Sequence, residues 1–208
     1  MEASARTVAV LCLVWALALL ASGMAPFDRL TWFMEVLPVL IAAPVLVATR
    51  RRLQLTTLVY VLIALHGLIL IYGGAYTYAR TPFGYWLQDL LGFARNPYDR
   101  IGHLAQGFVP AMVARELLLR VFGIGGRRLL FFLVCCVCLA ISAFYELVEW
   151  WAALLIGAQA DEFLATQGDV WDTQWDMFLA LVGAIAAQAL LGRRHDRQLA
   201  KLAAARAP

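Results

Sequence analysis

The stretch LLFFLVCCVCLAISAFYELVEWWAALLI, residues 129–156, carries no charge except Glu146 and Glu149. A helix that crosses a bilayer needs about 20 mostly apolar residues, so this segment reads as a transmembrane span holding two acids one turn apart. Working outward, comparable stretches occur at roughly residues 7–24, 30–48, 53–73, 99–121 and 173–192. The chain is 63% hydrophobic and 15% charged, with a mean hydropathy of +0.75, whereas soluble domains carry about a quarter charged residues. The expected fold is all-α: a polytopic membrane helical bundle of six transmembrane helices. Residues 1–192 make one domain, and residues 193–208 form a basic cytoplasmic tail expected to be mobile. No internal repeat stands out.

Basic residues fix the expected orientation, because cytoplasmic loops carry the excess of Lys and Arg. Arg6, Arg50 to Arg52, Arg120, Arg127, Arg128, Arg193, Arg194, Arg197, Lys201 and Arg206 fall on one side of six spans. The other side holds Arg29, Arg80, Arg95 and Arg100, together with an acidic segment containing Asp161, Glu162, Asp169 and Asp172. Both termini are therefore expected in the cytoplasm, and the site is a bacterial inner (cytoplasmic) membrane. The net charge of +3 follows from this topology, and no nucleic-acid partner is implied. The N-terminus also admits a signal-peptide reading, since Arg6 precedes an apolar run ending in Ala21-Ser22-Gly23-Met24-Ala25. The later helices keep their orientation either way.

Cys12, Cys135, Cys136 and Cys138 all fall inside apolar spans, where they read as small fillers rather than disulfide partners. The ionisable residues are more telling. Glu35, His66, Asp99, His103, Glu146, Glu149, Asp172 and Asp176 sit within or at the edge of apolar stretches, all toward the expected outer end. Ionisable groups inside spans are expensive and mark function by default. Asp99 with His103, Glu146 with Glu149, and Asp172 with Asp176 each share a helix face at three- or four-residue spacing.

Carboxylate and imidazole pairs on facing helices are how bundles build metal centres. The expected ligands are His103, Glu146, Glu149, Asp176 and Asp99, with His66 and Glu35 as secondary candidates. Asp172 or Asp169 is the candidate general base. An oxygen-rich set with imidazole suits Zn, Mg, Mn or Fe better than copper(I). Each residue also has a structural reading: Asp99 or Asp172 as a helix cap, His66 as a core histidine, Glu35 as an acid snorkelling to the interface, and Arg115-Glu116 as a packing ion pair.

The connection from Tyr76 to Arg95 carries Tyr85, Trp86, Leu87, Leu90, Leu91 and Phe93 at roughly helical spacing. It is expected to form an interfacial amphipathic helix between helices 3 and 4. Trp150, Trp151, Trp171 and Trp175 are expected to join an aromatic belt at the same level.

The runs Tyr98-Asp99-Arg100-Ile101-Gly102-His103, Tyr145-Glu146-Leu147-Val148-Glu149-Trp150 and Gln167 to Met177 (QGDVWDTQWDM) resemble the YjdF family of bacterial inner-membrane proteins. That resemblance implies a multi-pass topology and supplies no activity. A fainter similarity to VanZ-like proteins matches Asp99, His103, Glu146 or Glu149, and Asp176 with Gly183. This chain has Ala180 where the VanZ-like pattern usually carries Asn. The similarity implies, by analogy, a role around the cell envelope and its glycopeptide or lipid chemistry.

The favoured expectation is a divalent-metal site for hydrolysis or transfer on a lipid or envelope substrate, with membrane lipids as partners. Alternatives are a proton- or cation-coupled transporter and a structural or regulatory membrane protein. None of the common catalytic signatures is present: no Gly-x-Ser-x-Gly, His-Glu-x-x-His or P-loop. The sequence leaves the substrate and the oligomeric state, including a homo-oligomer, open.

Overall fold

The computed structural model describes residues 5–156 and 165–204. Seven helices make up the described residues: α1 (Ala5–Met24), α2 (Arg29–Thr49), α3 (Thr57–Ala75), α4 (Pro82–Leu91), α5 (Tyr98–Arg120), α6 (Arg127–Ile156) and α7 (Asp172–Ala204). Five of them, α1, α2, α3, α6 and α7, are long and apolar enough to cross a membrane. Each stretch picked out from sequence is a helix. Asp161 and Glu162 of the acidic connection lie outside the described residues.

Helix α5 matches its neighbours in length at 23 residues but carries Asp99, Arg100, His103, Arg115, Glu116 and Arg120. It tolerates them because it is the hub of the bundle, packed on α3, α6 and α7. α1 and α2 pack on α3, and α6 packs on α5 and α7. The outward surface is apolar, as a lipid solvent demands: Leu13, Leu17 and Leu20 of α1 and Phe132, Phe144 and Leu154 of α6 are all exposed. Trp150, Trp151, Trp171 and Trp175 are exposed too.

Local signals place the ends. The Asp28 carboxylate accepts from the Thr31 amide at 2.7 Å and caps α2; this contact holds its pKa below the ordinary carboxylate value. Thr56 caps α3, Pro82 opens α4, and Gly92 closes it with a left-handed φ of 68°. α4 buries only Gly84 and exposes Phe83, Trp86, Leu90 and Leu91.

Two features hold the bundle together. Near the middle, Gly107 of α5 meets Ala180 of α7, and Gly183 of α7 meets Leu104 of α5. A Cβ on either glycine would overlap the facing backbone carbonyl, which is the close approach that small residues permit between membrane helices. At the basic end, Glu116 and His195 are fully buried. The Glu116 carboxylate accepts from the Thr56 amide at 3.0 Å, the Thr56 hydroxyl at 2.8 Å, His195 Nε2 at 2.9 Å, and Arg120. Arg115 Nη1 donates to His195 Nδ1 at 2.8 Å, so the imidazole is the neutral Nε2–H tautomer. Arg115 and Glu116 thus pack as charges but not as a direct pair: Arg115 binds Asp196, Glu116 binds Arg120, and His195 bridges the two.

That network changes the expectation for the C-terminal tail. The segment from Arg193 continues α7 as helix through Ala204 and supplies His195 to the interior. At 1.5 Å per residue α7 runs about 50 Å, well beyond the roughly 30 Å hydrocarbon core. Its hydrophilic last turns therefore leave the apolar layer without leaving the fold.

Candidate functional site

The polar cluster assembles at the end of the bundle opposite Glu116, where α5 and α7 begin. Asn96, fully buried, organises this end. Its amide nitrogen donates to Gln167 Oε1 at 3.0 Å, and Gln167 Nε2 donates back to the Asn96 carbonyl at 3.0 Å. The reciprocal pair ties the 165–171 connection to the start of α5. Gln167 adopts a φ of 50° to do so, an uncommon conformation for a non-glycine residue. Arg95 then reaches the Thr166 carbonyl at 2.5 Å and Asp172 Oδ1 at 2.5 Å, with Asp99 Oδ2 at 3.5 Å.

Asp99 is not the cap of its helix. α5 starts at Tyr98 with Pro97 in the cap position, and the Asp99 carboxylate points to Arg95 and His103 instead. His103 Nε2 lies 3.5 Å from Asp99 Oδ1 and 3.8 Å from Asp176 Oδ2. These three buried residues each offer a ligand atom, all within 4.8 Å of one another. Ligands about 2.1 Å from a tetrahedral ion stand roughly 3.4 Å apart, so a small contraction would close the set around a cation.

The other imidazole nitrogen supports that use. His103 Nδ1 is 2.9 Å from Gln106 Oε1, an acceptor, so Nδ1 carries a proton and Nε2 is the nitrogen aimed at the two carboxylates. Metal-binding histidines are oriented in the same way, through a hydrogen bond from the second ring nitrogen. Glu146 Oε1 stands 3.9 Å from Nδ1. Neither that oxygen nor Asp176 Oδ1 has a hydrogen-bond donor among the described residues. Such buried oxygens need a counter-charge, from a cation or from protons.

The remaining candidates divide. Glu35, His66 and Glu149 line a cavity of about 550 Å³ together with Asp99 and His103. Glu35 is buried, which the snorkelling expectation did not foresee, while His66 and Glu149 are half-buried; His66 Nε2 has no partner among the described residues. Asp172 is held by Arg95. Asp169 is bound by Arg100 at 2.8 Å and accepts from the Trp171 amide at 3.0 Å. The Trp171 contact, reinforced by Arg95 and Arg100, keeps the Asp169 carboxyl below its ordinary pKa. Arg100 is thus committed to Asp169 and to the Trp175 ring, 5.2 Å from its centroid.

Sequence reasoning missed Arg95, Gln106, Tyr78 and Tyr145. Spacing could have found two of them, since Gln106 is three residues after His103 and Arg95 four before Asp99. Tyr78 gave no such signal: it lies in the connection after α3 with a φ of 51°, packed against Gly73 and Gly102, and it lines the cavity.

The family described as "Predicted membrane protein (DUF2238)" matches residues 7–197. The chain is 57% identical over 183 residues to the "Inner membrane protein YjdF" of Escherichia coli (strain K12), a match covering 88% of each chain. No solved structure matches.

Proposed function

Because the chain belongs to the DUF2238 family of predicted membrane proteins and is an inner-membrane protein like its Escherichia coli relative, we propose that Asp99, His103 and Asp176 bind a divalent metal ion, Zn, Mg or Mn, for hydrolysis or transfer on a lipid or cell-envelope substrate. The convergence of three buried ligand atoms within 4.8 Å carries this reading. A bound divalent ion would polarise a phosphoryl or acyl oxygen and lower the pKa of a bound water. Asp99 and Asp176 supply charge, His103 is set by Gln106, and Arg95 holds Asp99 from behind. Glu146, 3.9 Å from the imidazole, is the acid best placed to take or give a proton. Asp172 and Asp169 then orient the start of α7 through their arginines.

The same reading carries a topology. α5 makes a sixth crossing, screened by α3, α6 and α7, and the basic end faces the cytoplasm with both termini. The metal cluster faces the outer side, and α4 lies in the interface there with Trp86 and Phe83 toward lipid.

The test is metal content of protein purified in mild detergent without chelator, measured by inductively coupled plasma mass spectrometry. About one equivalent is expected in the wild type, with loss in His103→Ala and Asp176→Asn at unchanged helicity. A folded, metal-free wild type would overturn the proposal and turn the same acids into a proton site.

A further inference from the structure

The cavity beside the cluster is polar at one end only. Four helices line most of it with residues at helical spacing, and Trp15 of α1 adds to the wall: Val137, Ile141, Tyr145 and Glu149 recur every four residues along α6, and α2, α3 and α5 contribute similar stripes. All of the carboxylates and imidazoles in its wall sit at the cluster end. Beyond Gln106 the α5 stripe continues as Val109, Val113 and Leu117, facing Ala42 and Leu46 of α2. From Asp99 to Leu118 it runs about 29 Å at 1.5 Å per residue, close to the depth of the hydrocarbon core. A volume of about 550 Å³ drawn out over that length is a slender shaft.

Its side wall is incomplete. α2 belongs to the α1–α2–α3 group and α6 to the α5–α6–α7 group; they face each other across the shaft with little packing between them, joined at its polar end by a hydrogen bond between the Glu35 and Tyr145 side chains. A shaft with apolar walls does not hold water and gives an ion no polar path. What surrounds the gap in a membrane is lipid. We propose that the shaft takes a hydrocarbon chain of a phosphate-headed membrane lipid, admitted sideways between α2 and α6, with its head at the His103–Glu149 level. The choice of a phosphate head rests on the metal reading above, since these acids would repel an anion without a cation. The seating of the chain does not rest on it.

The test uses the full chain in phospholipid vesicles doped with a phospholipid that carries a diazirine near the end of one acyl chain. After irradiation, labelled peptides are mapped by mass spectrometry and metal is measured on the same sample. Label on Val113 and Leu117 of the central helix α5 is expected. Ala42→Trp, which fills the shaft away from the cluster, should lower that label about tenfold, roughly 1.4 kcal/mol, while metal content and label on lipid-facing Leu13 and Leu17 stay unchanged. Unlabelled phosphatidic acid or a polyprenyl phosphate should compete; the stronger competitor identifies the class of chain. Label confined to the outward faces of α1, α2 and α6 would overturn the proposal, as would undiminished α5 label in a metal-replete Ala42→Trp protein. Competition by neither phosphate-headed lipid would also overturn it. Chain label without metal would remove the metal reading and leave the shaft; metal without α5 label would do the reverse.

Discussion

Gly107 of α5 lies against the backbone carbonyl of Ala180 on α7, and each residue sits four positions after a member of the cluster, His103 and Asp176. The glycine thereby sets the distance between imidazole and carboxylate. Gly107→Val forces the helices apart. Overpacking of this kind costs about 1–3 kcal/mol, and the expected loss of stability should come with a loss of metal binding even in folded molecules. Thermal unfolding in detergent and metal titration of the same sample check both. Full metal affinity in a folded Gly107→Val protein would show that the crossing does not control the site.

Gln106 holds His103 Nδ1 at 2.9 Å without joining the proposed ligand set. Gln106→Leu should leave the fold intact and weaken divalent-metal affinity about 10–100-fold, the usual consequence of losing a ligand's supporting hydrogen bond. Isothermal titration with zinc or manganese measures it. An unchanged affinity would mean that the imidazole is oriented by packing alone.

The Glu116–His195 network at the opposite end is a stability device. Glu116→Ala removes the acceptor of Thr56, His195 and Arg120 and strands their donors inside the bundle, a change expected to cost about 3–5 kcal/mol. His195→Ala should cost less, about 1–3 kcal/mol, because Thr56 and Arg120 still satisfy the carboxylate. Neither variant should change metal content per folded molecule. Unfolding midpoints and metal analysis separate the two effects, and metal loss from either folded variant would tie this network to the site.

The fold was legible at the level of helices. Apolar stretches gave every long element, and the motif at Tyr98–His103 with that at Gln167–Met177 gave the family. The rotation of each helix was not legible. In uniformly apolar spans the sequence shows no preferred face, so contacts such as Gly107 with Ala180 decide which side chains meet. The acids were visible because charge is rare in such spans, yet the partition among them was hidden in a connection: Arg95 takes Asp172 and steadies Asp99, leaving Asp176 for His103. His195 was lost for a different reason. Its hydrophilic neighbours Arg193, Arg194 and Asp196 suggested a solvated tail, whereas α7 is long enough to carry one imidazole back into the core.

The Asp169–Arg100 pair gives a pH dependence with a defined sign. Asp169 has a lowered pKa in the folded protein, so its contribution is present above the unfolded value, about 3.9 for an aspartate, and is lost as pH falls through the lower folded value. The 165–171 connection should therefore keep its tether throughout the neutral range and loosen only in strong acid. Hydrogen exchange at the Trp171 amide, which Asp169 caps at 3.0 Å, should accelerate in Asp169→Asn already at pH 7. Equal exchange in the two proteins at neutral pH would remove the carboxylate from this role.

Asp172 and Asp176 lie one turn apart on α7, and the geometry gives them different work. Asp176 is 3.8 Å from His103 Nε2, while Asp172 is spent on Arg95 at 2.5 Å. Asp176→Asn should abolish stoichiometric metal, because it removes one of the two anionic ligands of the proposed three-ligand set. Asp172→Asn should retain metal but release Arg95, which can then draw Asp99 away from His103. The expected result is a weaker site, about 10-fold in affinity, rather than an absent one. Metal titration of the two variants side by side distinguishes ligand from support. Complete metal loss in Asp172→Asn with retention in Asp176→Asn would reverse the assignment and move the ion to the Arg95 side of Asp99.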